Sequence, residues 1–451
     1  MELSGANTGV YGLGITGQAT VRFLKRQGAV PVVVDEVALL GPREELEKLA
    51  REYDVEAHFG DFSPEALAAC ELIILSPGVR PDAPKLEAAR RAGREIISEI
   101  ELAARVCPAH LIAVTGSNGK STTTALTAHI LSLSRTAYAV GNIGKAFIDV
   151  ADSAQPEEVV CCEVSSYQLE ASPTLAPEIA IITNITPDHL ERHESFANYA
   201  RVKRSIVKAM AEGSSLIYNA EDENLQPELF PPRPVRFIPF SSAGEVGPPG
   251  AYLENGTIYL HVDESPIQLP SDLLRLPGIH NQENALAAIS AARLMGAHKS
   301  DLAKGLRTFE GFPHRLEFVR ELDQVRYYND SKATNPEAAV VALRSFEQPV
   351  VLIAGGRDKG TDLGELTRTV KQHCAGVVLL GEAAERFEQA LQAADYGAVH
   401  RVGSLEDAAA KAQQLAQPGN IVLLSPACAS FDMFASFEQR GDRFKELVSG
   451  L

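Results

Sequence analysis

The stretch LIAVTGSNGKSTTTALTAHIL, Leu111 to Leu131, decides the reading of this chain. It opens on an apolar run, passes through a glycine-rich turn, and continues into a segment that reads as a helix. Strand, glycine turn and helix in that order present backbone amides and a helix N-terminus to an anion. Thr115 to Thr122 therefore reads as a phosphate-binding loop, with Gly116, Ser117, Asn118 and Gly119 supplying its amides. Lys120 places a point charge between the β- and γ-phosphates, and the hydroxyl of Ser121 or Thr122 is a ligand for Mg²⁺. The strict motif has glycine where this chain has Val114, which marks a variant of the loop.

Two apolar runs follow, EVVCCEV (158–164) and EIAIITNI (178–185), each ending in polar residues. In a parallel sheet those ends lie over the phosphate loop, so Glu163 and the Asp188-His189 pair become site candidates, and a carboxylate there suits Mg²⁺. His189 and His193 are four apart without an HExxH register, so zinc is not expected and His193 reads as a surface histidine. Lys203, on NYARVKRSIVKAM, reads from sequence alone as a solvated lysine. FPPRPVRFIPFSSAGEVGPPG (230–250) reads as a surface excursion, and YLENGTIYL with Asn255-Gly256 as a β-hairpin. The helix GIHNQENALAAISAARLMG closes this block.

Upstream, Gly12-x-Gly14-x-x-Gly17 follows the strand TGVY and opens a helix, and Asp35 ends the next strand, PVVVD. That spacing matches a dinucleotide fingerprint and is compatible with NAD(P), with another nucleotide, or with a turn needed only for packing. A helix, EELEKLAREY, and a strand, ELIILSPG (71–78), extend the βαβ pattern. From Phe312-Pro313 onward, VRYYND, PVVLIAGG, GVVLLG and NIVLLSPA alternate with helical segments, a second doubly wound pattern. The cluster Asp330, Lys332 and Thr334, preceded by His314-Arg315, ends one of these strands.

The chain has 451 residues, enough for two to four domains, and is 45% hydrophobic and 22% charged, ordinary globular usage. Its formal net charge of −17 disfavours general binding to nucleic acid or anionic membranes, so anionic ligands must enter locally basic pockets. No run is apolar enough for a membrane span and the N-terminal residues lack a secretory pattern, so a cytoplasmic location is expected. Six cysteines without CxxC spacing are expected to be reduced core thiols.

Seven motifs together, TGSNGKST, EVSSYQLE, TNITPDHLERH, HNQENALAA, PHRLE, NDSKATNP and SPACASFD, resemble the Mur ligase family in order and spacing. The resemblance implies an α/β protein of three domains: a Rossmann-like N-terminal domain (1–98) for a UDP-linked substrate, a central P-loop-type ATPase domain with a parallel sheet (99–311), and a Rossmann-like C-terminal domain (312–451) for an amino acid. It implies an ATP-dependent ligase that adds D-glutamate to UDP-N-acetylmuramoyl-L-alanine through an acyl phosphate, a bacterial cytoplasmic monomer in peptidoglycan precursor synthesis. ATP and two Mg²⁺ ions are the implied cofactors.

By the same resemblance Gly14, Ile15, Thr16, Asp35, Ser76, Pro77 and Gly78 contact the UDP moiety, although Glu36-Val37 stand where the family often has Thr-Arg. Asn142, Ser165 and Gln168 orient the muramoyl-alanine. Lys120, His189 and Lys203 are catalytic. Ser121 or Thr122, Glu163, His189 and a carbamylated Lys203 hold metal. Asn281 and Asn284 face adenine, and Arg315, Asp330 and Lys332 contact phosphate or ribose. Thr334, Lys359, Ser430 and Phe431, with Phe437 as a further candidate, bind D-glutamate. Two other readings are a different ligase of the superfamily and a nicotinamide-dependent oxidoreductase; the second leaves TGSNGKST and NDSKATN unexplained.

Overall fold

The computed structural model describes residues 1–37 and 40–451. It resolves into two compact units, one of Met1–Leu273 with Glu283–Leu306, the other of Leu274–Gln282 with Arg307–Leu451. The expected α/β architecture holds in both, carried by three parallel-rich sheets.

The first unit contains two sheets. One has five parallel strands in the order Glu56–Phe59, Val30–Asp35, Asn7–Tyr11, Leu72–Leu75, Glu95–Ser98. Its two edge strands escape the sequence pattern because each is four residues long and part-exposed, too short for a period to register. The helix Ile15–Arg26 buries Ala19, Val21, Phe23 and Leu24, and it approaches the first strand closely at one point. A Cβ on Gly17 would stand 1.9 Å from the Gly12 carbonyl oxygen, so the third glycine of the fingerprint is a packing requirement.

The other sheet has nine strands. Third from one edge, the strand His110–Thr115 lies between Val159–Glu163 and Ile179–Ile182, all parallel, so their carboxyl ends share one edge. The stretch read as a surface excursion is instead built around a strand, Arg236–Ser241, parallel to Ser215–Asn219. Ile238 and Phe240 are fully buried, and this period-two burial outweighs the flanking prolines and glycines that suggested a loop. The hairpin is present as expected: Gly250–Glu254 pairs antiparallel with Thr257–His261 around Asn255 and Gly256, both at positive φ.

The second unit holds a six-stranded sheet in the order Glu317–Leu322, Val325–Asn329, Ile421–Leu424, Val350–Gly355, Cys374–Leu380, Val399–Arg401, parallel except for its first strand. All six cysteines are free. Cys70, Cys161, Cys162 and Cys428 are buried as expected, but Cys107 and Cys374 are only part-buried. Among the described residues no helix is long and apolar enough to cross a membrane.

Gly17→Ala is expected to destabilise the first unit by about 2 kcal/mol or more, a fall of roughly 5 °C in its thermal midpoint. Gly14→Ala, where nothing lies within 4 Å of the added carbon, should leave the midpoint within about 1 °C. Calorimetry of the two variants checks the contrast, and equal midpoints would refute it.

Candidate active site

The phosphate loop is shaped by what fills the space behind it. Gly116 has φ +145°, and a Cβ there would lie 1.9 Å from Thr183 Oγ1; one on Gly119, at φ +81°, would lie 2.1 Å from Asn284 Oδ1. Thr183 Oγ1 donates to the Asn118 carbonyl at 2.6 Å, and Asn184 Oδ1 accepts from the Asn118 amide at 2.9 Å. Ser117 Oγ donates to Thr186 O at 2.9 Å and is paired with Tyr199 Oη at the same distance. The segment Thr183–Thr186 and Tyr199 thus clamp the loop from one side. Asn284 braces it from the helix side and accepts from Thr123 Oγ1 at 3.3 Å. Lys120 Nζ donates to Ser117 O at 2.7 Å, folded over the loop it serves.

Three candidate groups meet around this loop. Glu163, at the end of its strand, is buried; Oε1 accepts from Asn142 Nδ2 at 2.8 Å, while Oε2 is buried without a hydrogen-bond partner. Lys203 is only 1% exposed, not solvated as the sequence alone suggested. Its ammonium donates to Gly116 O at 2.6 Å and sits 4.7 Å above the Tyr199 ring. Burial, then the nearby charge of Lys120, pushes Lys203 down to about 7, against the opposing pull of Asp188 and Glu163.

Of the two histidines, His193 differs from expectation. His189 is exposed, at φ +51°, with its ring 5.1 Å from that of Tyr167. His193, read as a surface residue, is buried: Nε2 pairs with Ser166 Oγ at 3.0 Å and Nδ1 lies 3.3 Å from Glu170. The short turn Leu190–His193 rolls it inward, and burial lowers its pKa.

The residues fit a divalent cation of the Mg²⁺ type. Among the described residues no three His, Cys, Asp or Glu side chains form a protein-only cage. One buried carboxylate oxygen without a partner beside a phosphate loop is instead the donor set of an ion that keeps waters and shares phosphate oxygens. Ser165 and Gln168 form a reciprocal capping box on the helix Ser166–Glu170, which fixes both side chains at the strand end.

A second concavity, of about 400 Å³, opens at the carboxyl edge of the five-stranded sheet and is lined by Gly14, Ile15, Thr16, Asp35, Glu36 and Ser76 to Val79. Asp35 accepts from the amides of Leu13 at 2.7 Å and Val37 at 2.9 Å, so it also fixes the turn. Ser76 Oγ donates to Gly12 O at 2.8 Å. Ile15, 74% exposed at the helix N-terminus, presents an apolar wall to this space.

In the second unit the strand-end motifs converge around Asp330. Its Oδ2 accepts from Ser425 Oγ at 2.7 Å and its Oδ1 from the Leu316 amide at 3.2 Å. Burial raises Asp330 to about 7, against these hydrogen bonds and Arg315. Arg315 is exposed between two residues in the left-handed region, His314 (φ +62°) and Leu316 (φ +43°), and Ala427 shares that conformation (φ +57°). Such strain concentrates at functional sites. Lys332 is exposed with Nζ 5.8 Å from the Phe437 ring centre. Thr334 is half-buried, Lys359 exposed, Ser430 buried and Phe431 64% exposed. Asn281 is buried and donates to Pro277 O at 2.6 Å.

Arg440 is a residue that sequence reasoning missed, because on a helix it reads as a solvated charge. It is buried and donates to Ser331 Oγ and O, both at 2.9 Å, and to Cys428 O at 3.1 Å, tying two strand-end loops together. Tyr199 and Thr183 were also missed; the signal for Thr183 was its place in TNITPDHLERH, directly after an apolar strand.

Comparison with known proteins gives matches along nearly the whole chain. The family descriptions are "Mur ligase MurD-like, N-terminal domain" over residues 6–98, "Mur ligase middle domain" over 114–292, and "Mur ligase, glutamate ligase domain" over 314–428. The chain is 42% identical to the UDP-N-acetylmuramoylalanine–D-glutamate ligase of Salinibacter ruber, over 98% of this chain and 97% of that one. It is 39% identical to the ligase of the same name from Caldanaerobacter subterraneus, over 100% of both chains. In fold it is similar to the UDP-N-acetylmuramate-alanine ligase MurC of Thermotoga maritima (TM-score 0.58, 20% identity, 99% of each chain). It is also similar to the MurF ligase of Thermotoga maritima in complex with ADP (TM-score 0.56, 16% identity, 100% of this chain and 96% of that one).

Asp330 carries a pH dependence. Folded, it holds its proton up to about pH 7, whereas an unfolded aspartic acid releases it near about 3.9. Its contribution to stability is therefore full below about pH 4 and is lost as the pH rises towards 7. Between about pH 4.5 and 7.5 wild type should lose a few kcal/mol relative to Asp330→Asn, on the order of 1.4 kcal/mol per pKa unit. A difference between the two proteins that stays constant over that range, in denaturant unfolding, contradicts the assignment.

Proposed function

The chain belongs to the Mur ligase family, and from that premise we propose that it adds D-glutamate to UDP-N-acetylmuramoyl-L-alanine with ATP, an acid–amino-acid ligation of peptidoglycan precursor synthesis. The observation that carries this reading is the full-length likeness to ligases of that name, 42% identical in the Salinibacter ruber case. The partly exposed Lys120 on its glycine loop and the unpartnered Glu163 oxygen support it from the side of chemistry.

In this reading the alanine carboxylate attacks the γ-phosphorus of ATP, ADP departs, and an acyl phosphate forms. The amine of D-glutamate then attacks the carbonyl carbon; phosphate leaves and the nitrogen gives up a proton as the amide forms. The first step brings two anions together, so the protein must neutralise charge at the transferring oxygens. Lys120 and the amides of Gly116 to Gly119 do this at the phosphates. Mg²⁺, when bound, supplies further neutralisation of phosphate charge. Ser121 or Thr122 with Glu163 would hold one ion, and His189 with Lys203, carbamylated so that it offers an oxygen, a second. Only a neutral amine adds carbon dioxide, and Lys203, lowered to about 7, provides one at neutral pH.

The remaining roles follow the same reading. The concavity lined by Gly14, Ile15, Thr16, Asp35, Ser76, Pro77 and Gly78 takes the UDP moiety. Asn142, Ser165 and Gln168 orient the muramoyl-alanine, and Asn281 and Asn284 serve the adenine end of ATP. Arg315, Asp330 and Lys332 meet its phosphates or ribose. Thr334, Lys359, Ser430 and Phe431 receive D-glutamate, with Lys359 on the side-chain carboxylate. The chain divides functionally at 1–98, 99–311 and 312–451 and acts as a cytoplasmic monomer.

Phosphate release from ATP and Mg²⁺ with UDP-N-acetylmuramoyl-L-alanine should depend on D-glutamate and fail with L-glutamate, meso-diaminopimelate or L-lysine. Lys120→Ala should cut turnover by about 10³-fold or more, because the point charge on the transferring phosphate is lost. Lys359→Ala should raise the D-glutamate KM at least tenfold with little change in the KM for ATP. Release with a different amine would move the protein within the family; release from folded Lys120→Ala at the wild-type rate would overturn the role given to that lysine.

A further inference from the structure

A cavity of about 870 Å³ in the first unit lies apart from the phosphate loop. It opens on the other face of the helix Phe196–Arg204, whose Lys203 reaches Gly116 O. Asn198, Arg201, Val202, Ser205 and Lys208 line it at helical spacing, along this helix and the turn that follows.

The charges around the cavity divide into two sets. Arg80 is matched by Asp82 and Glu194, and Arg192 by Glu170 at 2.7 Å, so the carboxylates in the lining are already engaged. Arg201, Arg204 and Lys208 have no carboxylate within ion-pair distance among the described residues; the guanidinium of Arg204 donates only to the Asn224 carbonyl, at 3.1 Å. Leu169, Phe230 and the 44%-exposed Leu229 form an apolar floor, which weakens solvent screening of those charges. In a chain of net charge −17, three unmatched cations on one wall of a cavity are the local basic pocket an anion requires.

We propose that this cavity is a second anion site, distinct from the phosphate loop, that takes a small polyanion with two or more phosphate or carboxylate groups on Arg201, Arg204 and Lys208. A singly charged ion would leave two of the three cations unmatched. The site shares its helix with Lys203, so its occupant sits on the back of the element that holds the phosphate loop in place.

Isothermal titration of the full chain, desalted free of divalent metal into a chloride buffer without chelator, with inorganic pyrophosphate and separately with citrate, tests this. The double variant Arg201→Ala/Lys208→Ala changes only exposed side chains and should keep the wild-type thermal midpoint and basal phosphate release. It should bind at least one of the two anions tenfold or more weakly than wild type. Lys120→Ala, in contrast, should lose any loop-bound pyrophosphate yet keep the cavity event. Binding by pyrophosphate alone assigns a phosphate ligand, by citrate alone a carboxylate, and by both a site that reads charge only. The proposal is overturned if the double variant binds both anions like wild type, if Lys120→Ala abolishes all binding, or if neither anion binds wild type. Because the readout is binding without Mg²⁺ or amino acid, its failure is separate from any failure of the ligase reading.

Discussion

The close approach of Gly116 to Thr183 is the contact on which the rest of the first unit's chemistry depends. A backbone without a side chain lets one strand-end loop lie directly against the next, and the hydroxyl of Thr183 takes up the carbonyl of Asn118. The phosphate loop is therefore braced by its neighbour instead of collapsing on itself, with the amides of Ser117 and Asn118 tied to Asn184. Gly119 repeats the device against Asn284. The parallel register of His110–Thr115 with its two neighbours then brings Glu163 and the segment after Ile182 to the same edge.

Charge is handled by burial as much as by pairing. Lys203, Glu163, Asp330 and Arg440 are all withdrawn from water, and each is held by hydrogen bonds to backbone, hydroxyl or side-chain amide groups instead of by a buried ion pair. A buried charge with neutral partners has an adjustable protonation state, which explains why Lys203 and Asp330 both approach neutrality from opposite ends of the scale. Arg440 is lowered as well, to about 10, yet stays a cation and serves as a fixed tie between the Ser331 and Cys428 loops.

Much of this was legible in the chain because the signals were local. The strand–loop–helix at Leu111–Leu131, the glycine fingerprint with Asp35, and the Asn255-Gly256 hairpin each carry their geometry in a few adjacent residues. Apart from the two short edge strands, the misses share one cause. His193, the strand Arg236–Ser241, Lys203 as a solvated residue, and the overlooked Tyr199 and Arg440 all turn on which face of an element meets another. That is decided by packing partners far away in sequence, and a single helix turn or one residue of strand register reverses it.

The sequence by itself therefore determined the order of elements, the phosphate loop and the family motifs, since turn chemistry and apolar periodicity act over a few residues. Only the tertiary structure decided which of those residues lose water. It placed Lys203 beneath the loop, left one Glu163 oxygen without a partner, and gathered Arg201, Arg204 and Lys208 around a cavity. Burial is a property of surroundings, and the surroundings of each of these side chains come from segments that the chain brings together only when it folds.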